Sequence, residues 1–205
     1  GSMHLLEVNG HKLLLDCGLF QGKREETYTV NQHFPFDPAS IDAMVLSHAH
    51  IDHSGNLPNL VKQGFSGPIY ATDASADLAD IMLKDSAHIH EWDVEYVNKK
   101  RRKQGLPPMP PLYSMKDALA TIPLFRSVWY GQRFEPVPGV GVRLMDAGHI
   151  LGSAGVVVDV VEDGALKRLW FSGDIGRYDA PILEDPVLPQ GADYLLMECT
   201  YGDKP

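Results

Sequence analysis

The sequence has few cysteines, no long apolar run and a shortage of basic residues. Cys17 and Cys199 are the two cysteines among 205 residues, so there is no disulfide framework, and a reducing, cytoplasmic compartment is favoured. No apolar run reaches the roughly 18 residues of a membrane span, and no signal-peptide pattern is visible. The formal net charge is −9. This charge excludes a broad basic surface for nucleic acid, but not a local basic groove or a metal-mediated phosphate site.

The chain is long enough for one sizeable domain with a hydrophobic core. Asn9-Gly10 between two apolar runs predicts a hairpin. Helical spacing follows Asp73, a predicted N-cap, and residues 85–105 also read as helix. Residues 19–39 read as an irregular loop. Strands are predicted at 4–8, 12–16, 42–47, 68–71, 127–130, 132–136, 140–146, 155–161, 167–172 and 193–198.

The densest chemistry lies in residues 47–53, which read Ser-His-Ala-His-Ile-Asp-His. Imidazole and carboxylate groups together suit zinc or a similar divalent metal. His48 and His50 are two residues apart, so they share a side only if the chain is extended there. At Asp52 and His53 the chain then turns and enters a predicted helix. The pattern therefore indicates metal ligands at a strand end, rather than a polar loop with chance histidines.

Other candidate ligands follow other predicted strands. His149 comes after strand 140–146 and Asp174 after strand 167–172, each just past a glycine that permits a tight turn. Asp16 ends an earlier strand in the same way. Three or four such strand ends can converge at one edge of a sheet sandwich. Together with the histidine-rich stretch they predict a centre large enough for two metal ions.

This set of residues resembles the metallo-β-lactamase superfamily. Residues 197–203, Met-Glu-Cys-Thr-Tyr-Gly-Asp, also resemble the acidic motif that opens the inserted β-CASP domain of one branch of that superfamily. Residues 14–22, 113–118 and 147–154 are in the style of the same branch. The resemblance covers essentially the whole chain. It is to the β-CASP family of RNA-processing nucleases of bacteria and archaea and of eukaryotic mRNA 3′-end cleavage.

The resemblance implies an α/β fold, the metallo-β-lactamase αββα sandwich, here incomplete and truncated at the start of the inserted β-CASP domain. Residues 1–196 would be the N-terminal part of the metallo-β-lactamase domain, and residues 197–205 the beginning of the β-CASP domain. Two further family histidines are then expected outside this chain. One would complete the shell of the second metal, and the other would be the general acid.

The resemblance also implies a cofactor of two zinc ions and a reaction. The protein would be a ribonuclease that hydrolyses phosphodiester bonds of single-stranded RNA through a metal-bridging hydroxide. The implied ligands of the first zinc are His48, His50 and His149. Asp52 and His53 would bind the second zinc, and Asp174 would bridge the two.

Three carboxylates have implied catalytic roles. Asp52 would orient the proton of the nucleophile in addition to binding metal. Asp16 would not bind a metal itself, but would fix the orientation of a histidine ring that does. Glu198 would hydrogen-bond and tune the acid histidine that lies outside this chain.

Several alternatives stay open on the sequence alone. One is a small-molecule metallo-hydrolase of thioesters, lactones or lactams, which the Glu198 motif disfavours. Another is a DNA-directed nuclease of the same family, and a third is a scaffolding module without activity, which the intact ligand set disfavours. No membrane partner is expected, whereas a homodimer through regions outside the chain is left open. Two further questions stay open on the sequence alone. One is whether this part of the protein is active by itself, and the other is whether it cuts as an endonuclease or as an exonuclease.

Two local features have both a functional and a purely structural interpretation. The turn at residues 152–155 is glycine-rich and could offer backbone N–H groups to a phosphate, or be a simple turn. The run 99–103, Lys-Lys-Arg-Arg-Lys, could contact nucleic acid, although such runs are usually solvated helix faces.

Overall fold

A computed structural model describes residues 1–22, 24–162, 164–200 and 202. The α-helices are α1 (Arg24–Gln32), α2 (Ile51–Ser54), α3 (Leu57–Lys62), α4 (Asp73–Lys103) and α5 (Met115–Thr121). The strands are β1 (His4–Val8), β2 (His11–Leu15), β3 (Ala43–Val45), β4 (Ile69–Ala71), β5 (Phe125–Ser127), β6 (Phe134–Val137), β7 (Val140–Asp146), β8 (Ala154–Glu162), β9 (Ala165–Phe171) and β10 (Tyr194–Leu196).

The first sheet has the strand order β1-β2-β3-β4-β5. Strands β1 and β2 form the expected hairpin, with Val8 opposite His11 and with Asn9 and Gly10 in the left-handed region at φ 51° and 78°. Strands β2 to β5 are parallel to one another. Their carboxyl ends therefore lie along the same edge of the sheet.

The second sheet has the order β10-β9-β8-β7-β6. Strand β8 is antiparallel to both β7 and β9, so β7 and β9 run in the same direction. Strand β10 joins the edge of the sheet parallel to β9. The carboxyl ends of β7 and β9 thus reach a common edge, as those of β2 and β3 do in the first sheet.

Two cores separate three layers. The alternation of side chains along a strand sends Leu14 to one face of β2, and Leu13 and Leu15 to the other. Leu14 packs in a core with the helices, to which α3 contributes Leu57 and Leu60. Leu13 and Leu15 pack in a second core that the second sheet completes. A helical layer, the first sheet and the second sheet therefore lie in that order, and these are three layers of the expected αββα sandwich.

Several of the expected elements differ in the structure, and the strand expected at 127–130 is β5, at Phe125–Ser127. Residues 19–39, expected to be an irregular loop, contain helix α1. The N-cap of α4 is Thr72 rather than Asp73, because the Thr72 hydroxyl accepts a hydrogen bond from the Ser75 N–H. The two helical segments expected on either side of residue 85 form the single helix α4. The capping box of Ser114 and Asp117 is present at the start of α5.

Among the described helices, none combines the length and the apolar character that crossing a bilayer requires.

Candidate metal centre

Strand ends from both sheets converge on one site. Strand β3 leads into Ser47 and His48, and β7 leads into the loop that carries His149. A backbone hydrogen bond of 2.9 Å from the Ala154 N–H to the Ser47 carbonyl ties the first sheet to the start of β8. The candidate ligands thus stand where the two sheets meet.

A first group of ligand atoms consists of three histidine nitrogens and one carboxylate oxygen. Nδ1 of His50 lies 3.0 Å from Nε2 of His48 and 3.2 Å from Nε2 of His149. Oδ2 of Asp174 lies 3.6 Å from Nε2 of His48 and 3.5 Å from Nε2 of His149. One ligand atom from each of these four residues lies within 4.8 Å of all the others, so the group could hold a metal ion.

A second group adjoins the first. Nε2 of His53 lies 3.1 Å from Oδ1 of Asp174 and 3.6 Å from Oδ2 of Asp52. Asp174 therefore directs one carboxylate oxygen at each group. Asp52 is the most open of these three, with 46% of its side chain exposed, against 24% for Asp174 and 7% for His53.

Asp16 lies behind the second group. Its backbone is in the left-handed region at φ 57°, and the residue is fully buried. Oδ2 of Asp16 contacts Nδ1 of His53 at 2.7 Å, and Oδ1 accepts a hydrogen bond of 2.7 Å from the Ser47 N–H. The contact occupies one nitrogen of the His53 ring and leaves Nε2 facing Asp52 and Asp174.

Ser47 also lies in this site, and the sequence reasoning assigned it no role. Its hydroxyl donates to Oδ2 of Asp16 at 2.8 Å and lies 3.1 Å from Nδ1 of His48. It thus links the buried carboxylate to the first group of ligands. Its position directly before the histidine-rich stretch was the available signal.

The electrostatics of the two groups favour a cation. Burial strongly lowers the pKa of His48, with the neighbouring His53 adding to the effect, so its imidazole stays neutral. Burial also lowers the pKa of His50, with His149 as the next cause. Burial also acts to lower the pKa of His53. The contacts of His53 with Asp16 and Asp174 outweigh this effect and raise its pKa to about 10. The hydrogen bond with His53 holds the pKa of Asp174 well below its usual range.

These features fit a divalent metal. Neutral imidazole and ionised carboxylate are the protonation states that ligate metals. The carboxylates of Asp16, Asp52 and Asp174 surround the His53 ring, where a bound cation would take the place of the proton. Ligand atoms around a tetrahedral zinc ion, each about 2.0–2.2 Å from it, stand roughly 3.3 Å apart. Four of the six separations in the first group, between 3.0 and 3.6 Å, bracket that value.

Glu198 lies beside the loop that follows Asp174. Its Oε1 accepts a 2.6 Å hydrogen bond from the Ile175 N–H, and its Oε2 accepts one of 2.7 Å from the Thr200 hydroxyl. The Glu198 N–H donates to the Ser172 hydroxyl at 3.1 Å. The carboxylate therefore ties the backbone next to Asp174 to residues 198–200. The remainder of the predicted acidic motif, Tyr201 and Asp203, lies outside the described residues.

The remaining sequence features make contacts of their own. In the turn at 152–155, the Ser153 N–H donates to the Ile150 carbonyl and the Ala154 N–H to Ser47, so those two groups are not free for a phosphate. The basic run ends helix α4, where Lys99 pairs with Glu95 at 3.3 Å. Cys17 is buried and Cys199 is exposed.

Comparison with known proteins gives two relatives named as ribonucleases and one named as a transcription termination factor. The chain is 37% identical over 207 residues to Ribonuclease TTHA0252 of Thermus thermophilus, covering all of this chain and 42% of that protein. It is 32% identical to Transcription termination factor FttA of Methanococcus maripaludis, over 93% of this chain and 28% of that protein. It is 26% identical to Endoribonuclease ysh-1 of Neurospora crassa, over 98% of this chain and 22% of that protein. The chain thus spans less than half the length of these curated relatives.

Solved structures show a similar fold. A metallo-β-lactamase of Cronobacter sakazakii, the HARLDQ motif mutant S60, superimposes with a TM-score of 0.53 at 19% identity over 88% of this chain and 58% of that one. The sequence pattern of the metallo-β-lactamase superfamily matches residues 1–200. The match and the two-sheet fold together show that the chain belongs to the metallo-β-lactamase superfamily.

Proposed function

We propose that the protein is a metal-dependent ribonuclease that hydrolyses phosphodiester bonds of single-stranded RNA. The observation that carries the proposal is the position of Asp174, whose two carboxylate oxygens face two adjoining groups of ligand atoms. A single carboxylate shared by two adjoining groups supports a dinuclear hydrolytic centre, in which two metal ions lie about 3.5–4 Å apart. The names of the relatives, Ribonuclease TTHA0252 and Endoribonuclease ysh-1, support RNA as the substrate.

The proposed cofactor is a pair of zinc ions. His48, His50 and His149 would hold one ion, Asp52 and His53 the other, and Asp174 would contribute an oxygen to each. When bound, such a pair supplies Lewis-acid activation of water and neutralises charge on a phosphate. The donor set of imidazole and carboxylate supports zinc.

The residues of this chain have separable roles in this proposal. Asp52 is the half-exposed carboxylate of the centre, so it can reach a solvent-derived nucleophile and hold its proton. Asp16 holds the His53 ring through Nδ1. Glu198 holds the backbone after Asp174 through the Ile175 N–H, and in the complete protein its carboxylate would also face the acid histidine.

We further propose the domain division that the sequence suggested. Residues 1–196 would form the N-terminal part of the metallo-β-lactamase domain, and residues 197–205 would open a β-CASP domain. The short coverage of the relatives supports a longer protein. A cytoplasmic location is supported by two free cysteines. Self-association through regions outside the chain belongs to the same hypothesis, and sedimentation of the complete gene product tests it.

The test uses the complete gene product that carries this chain. Metal content is measured first, and labelled single-stranded RNA and DNA are then incubated with the wild-type protein and with the Asp52→Ala variant. We expect two zinc ions per chain, RNA cleavage by the wild type, and a loss of about 10²-fold or more in the variant. Absence of bound metal, or cleavage that Asp52→Ala does not change, would overturn the proposal. Hydrolysis of a thioester, lactone or lactam with no nuclease activity would replace it by a small-molecule hydrolase, and cleavage confined to DNA by a DNA nuclease.

A further inference from the structure

The loop that carries His149 has a shape fixed by its own hydrogen bonds. The Ser153 hydroxyl accepts from the N–H groups of His149 at 3.1 Å and Ile150 at 3.2 Å. The Gly148 N–H donates to Oδ1 of Asp146 at 2.8 Å. These bonds set the shape of the loop but not its position relative to the first sheet, which supplies His48 and His50.

One anchor of the loop comes from the start of helix α4. The hydroxyls of Thr72 and Ser75 both donate to the Gly152 carbonyl, at 2.6 and 2.8 Å. Both residues are buried. Thr72 alone caps the helix, because its hydroxyl accepts from the Ser75 N–H. The Ser75 hydroxyl is therefore not needed for the cap, and its donation to the loop of the second sheet requires a separate explanation.

The approach between helix and loop is close. Gly152 has φ +84°, and a Cβ atom built on it would lie 2.6 Å from the Ser75 backbone nitrogen and 2.8 Å from the Thr72 hydroxyl. Only glycine permits this contact without displacing the backbone. The loop is thus held directly against the first turn of α4.

A second anchor comes from the segment after β5. The Tyr130 hydroxyl donates to the Ser153 carbonyl at 2.8 Å, alongside the Ala147 N–H at 3.1 Å. Tyr130 itself is 40% exposed, so much of its ring does not pack in a core. The two anchors hold consecutive carbonyls, those of Gly152 and Ser153. One anchor is the start of helix α4, and the other is the segment after β5.

We propose that Thr72, Ser75 and Tyr130 are positioning residues for the metal ligand His149. Their three hydroxyls fix the His149 loop against the first sheet, so that Nε2 of His149 stands 3.2 Å from Nδ1 of His50. None of the three is a catalytic residue, because each acts through the loop backbone. The inference rests on the proposed metal centre.

The experiment measures metal affinity rather than activity, in the complete gene product that carries this chain. The test variants are Tyr130→Phe, which removes one hydroxyl and keeps the ring, and the double variant Thr72→Val with Ser75→Ala. Zinc affinity is measured at 25 °C by competition with a chromophoric chelator, and the thermal midpoint is measured on metal-free protein. Loss of groups that orient a ligand typically weakens metal binding by about 10–100-fold. We expect a loss in this range for one ion in both variants, with circular dichroism spectra like that of the wild type.

Matched controls separate positioning from general stability. Tyr28→Phe also removes a hydroxyl that donates to a backbone carbonyl, that of Pro110 at 3.0 Å. Thr121→Val removes a buried hydroxyl that donates to the Asp117 carbonyl at 2.9 Å. Both controls should keep wild-type zinc affinity. Thr72→Ser keeps the hydroxyl and should keep the affinity as well.

The outcomes distinguish this inference from the proposed function. If the wild type binds zinc and both test variants bind it equally well, the positioning role is overturned, even if their metal-free midpoints fall. If the control variants lose affinity as much as the test variants, it is also overturned. A wild-type protein that binds no metal overturns the proposed function, and this inference with it.

Discussion

Oδ2 of Asp16 and Nδ1 of His53 lie 2.7 Å apart, and this contact joins the end of strand β2 to the metal centre. A carboxylate on one ring nitrogen orients the other toward a metal and increases its basicity. Asp16 can reach this position because its own backbone adopts φ 57° directly after the strand. The local backbone geometry of one residue therefore controls the direction of a ligand.

The first prediction concerns this contact. Asp16→Asn removes the negative charge behind His53 while keeping the size of the side chain. We expect zinc at the second group to bind about 10–100-fold more weakly, because the ring loses its orienting partner. Zinc stoichiometry at graded chelator concentrations measures the change. Zinc at the first group should stay bound up to a higher chelator concentration.

The matched control for this variant lies at the other end of the same strand. Asp42 accepts a hydrogen bond of 2.8 Å from the Lys12 N–H, near the start of β2. Asp42→Asn should leave the metal content unchanged. Equal metal loss in the Asp16 and Asp42 variants would contradict an orienting role for Asp16.

The second prediction concerns Gly173, which precedes Asp174. It has φ +53°, and a Cβ atom there would lie 2.8 Å from the Ser47 Cβ. Gly173→Ala should lower the free energy of unfolding by more than the roughly 1–2 kcal/mol of a left-handed alanine, because Ser47 would also be displaced. Urea denaturation of metal-free protein gives the value.

Gly10→Ala provides the comparison for Gly173. Gly10 has φ +78°, and no atom lies within 4 Å of a built Cβ. The free-energy cost of Gly10→Ala therefore comes from the backbone conformation alone. We expect Gly173→Ala to be the more destabilising of the two. Equal losses of unfolding free energy in the two variants would mean that Ser47 can move away from the new Cβ atom at no cost.

The third prediction is a pH dependence of stability that arises far from the metal centre. Oδ1 of Asp159 on β8 accepts a 2.6 Å hydrogen bond from Nε of Arg168, and Arg143 contacts its Oδ2 at 3.0 Å. The hydrogen bond with Arg168 is the main reason that the pKa of Asp159 is lowered. A carboxyl group with a lowered folded-state pKa stabilises the fold above its unfolded pKa, and this contribution is lost as the pH falls through the folded pKa.

Asp159→Asn should therefore lower the free energy of unfolding by about 1–3 kcal/mol at pH 7. The difference from wild type should narrow as the pH falls below about 4, near the unfolded pKa of aspartate. Chemical denaturation across this pH range tests both statements. Glu7→Gln is the contrast, because Glu7 is 67% exposed and pairs with Lys12 only at 3.8 Å. A difference that widens as the pH falls would contradict the assignment.

The fourth prediction concerns Asn31 in helix α1. Its Nδ2 donates to the carbonyls of Phe20 at 2.9 Å and Thr27 at 2.8 Å, and its Oδ1 accepts from the Phe20 N–H at 2.7 Å. Asn31→Asp replaces the donor by an acceptor that faces two carbonyls. We expect a loss of about 1–3 kcal/mol in unfolding free energy. Val30→Ala, at a half-exposed neighbour, should change it by less than about 0.5 kcal/mol.

Helix α1 also shows where sequence reasoning reached its limit. The segment has no strong apolar periodicity, so it read as a loop. What holds it is tertiary, since the Asn31 carbonyl accepts hydrogen bonds from the side chains of Asn56 and Asn59. A pattern within the segment cannot reveal partners that lie 25 and 28 residues further along the chain.

The strands and the gathering of the candidate ligands were predictable for a physical reason. Apolar runs that end in His or Asp mark buried strands with polar carboxyl ends, and parallel strands present those ends at one edge. The choice of facing atoms was not predictable. The resemblance implied that Asp174 would bridge the two groups, but the anchors that Thr72 and Tyr130 provide for His149 depend on the packing of the two sheets.

The two sheets contribute to one centre, and this has a consequence for the order of folding. His50 and His149 are 99 residues apart in sequence, yet their ring nitrogens meet at 3.2 Å. Bringing such distant segments together costs loop-closure entropy, and this entropy is lost before the stabilising contacts form. Neither sheet alone can assemble the first group of ligands. Uptake of zinc during refolding should therefore lag behind secondary-structure formation and report the docking of the two sheets.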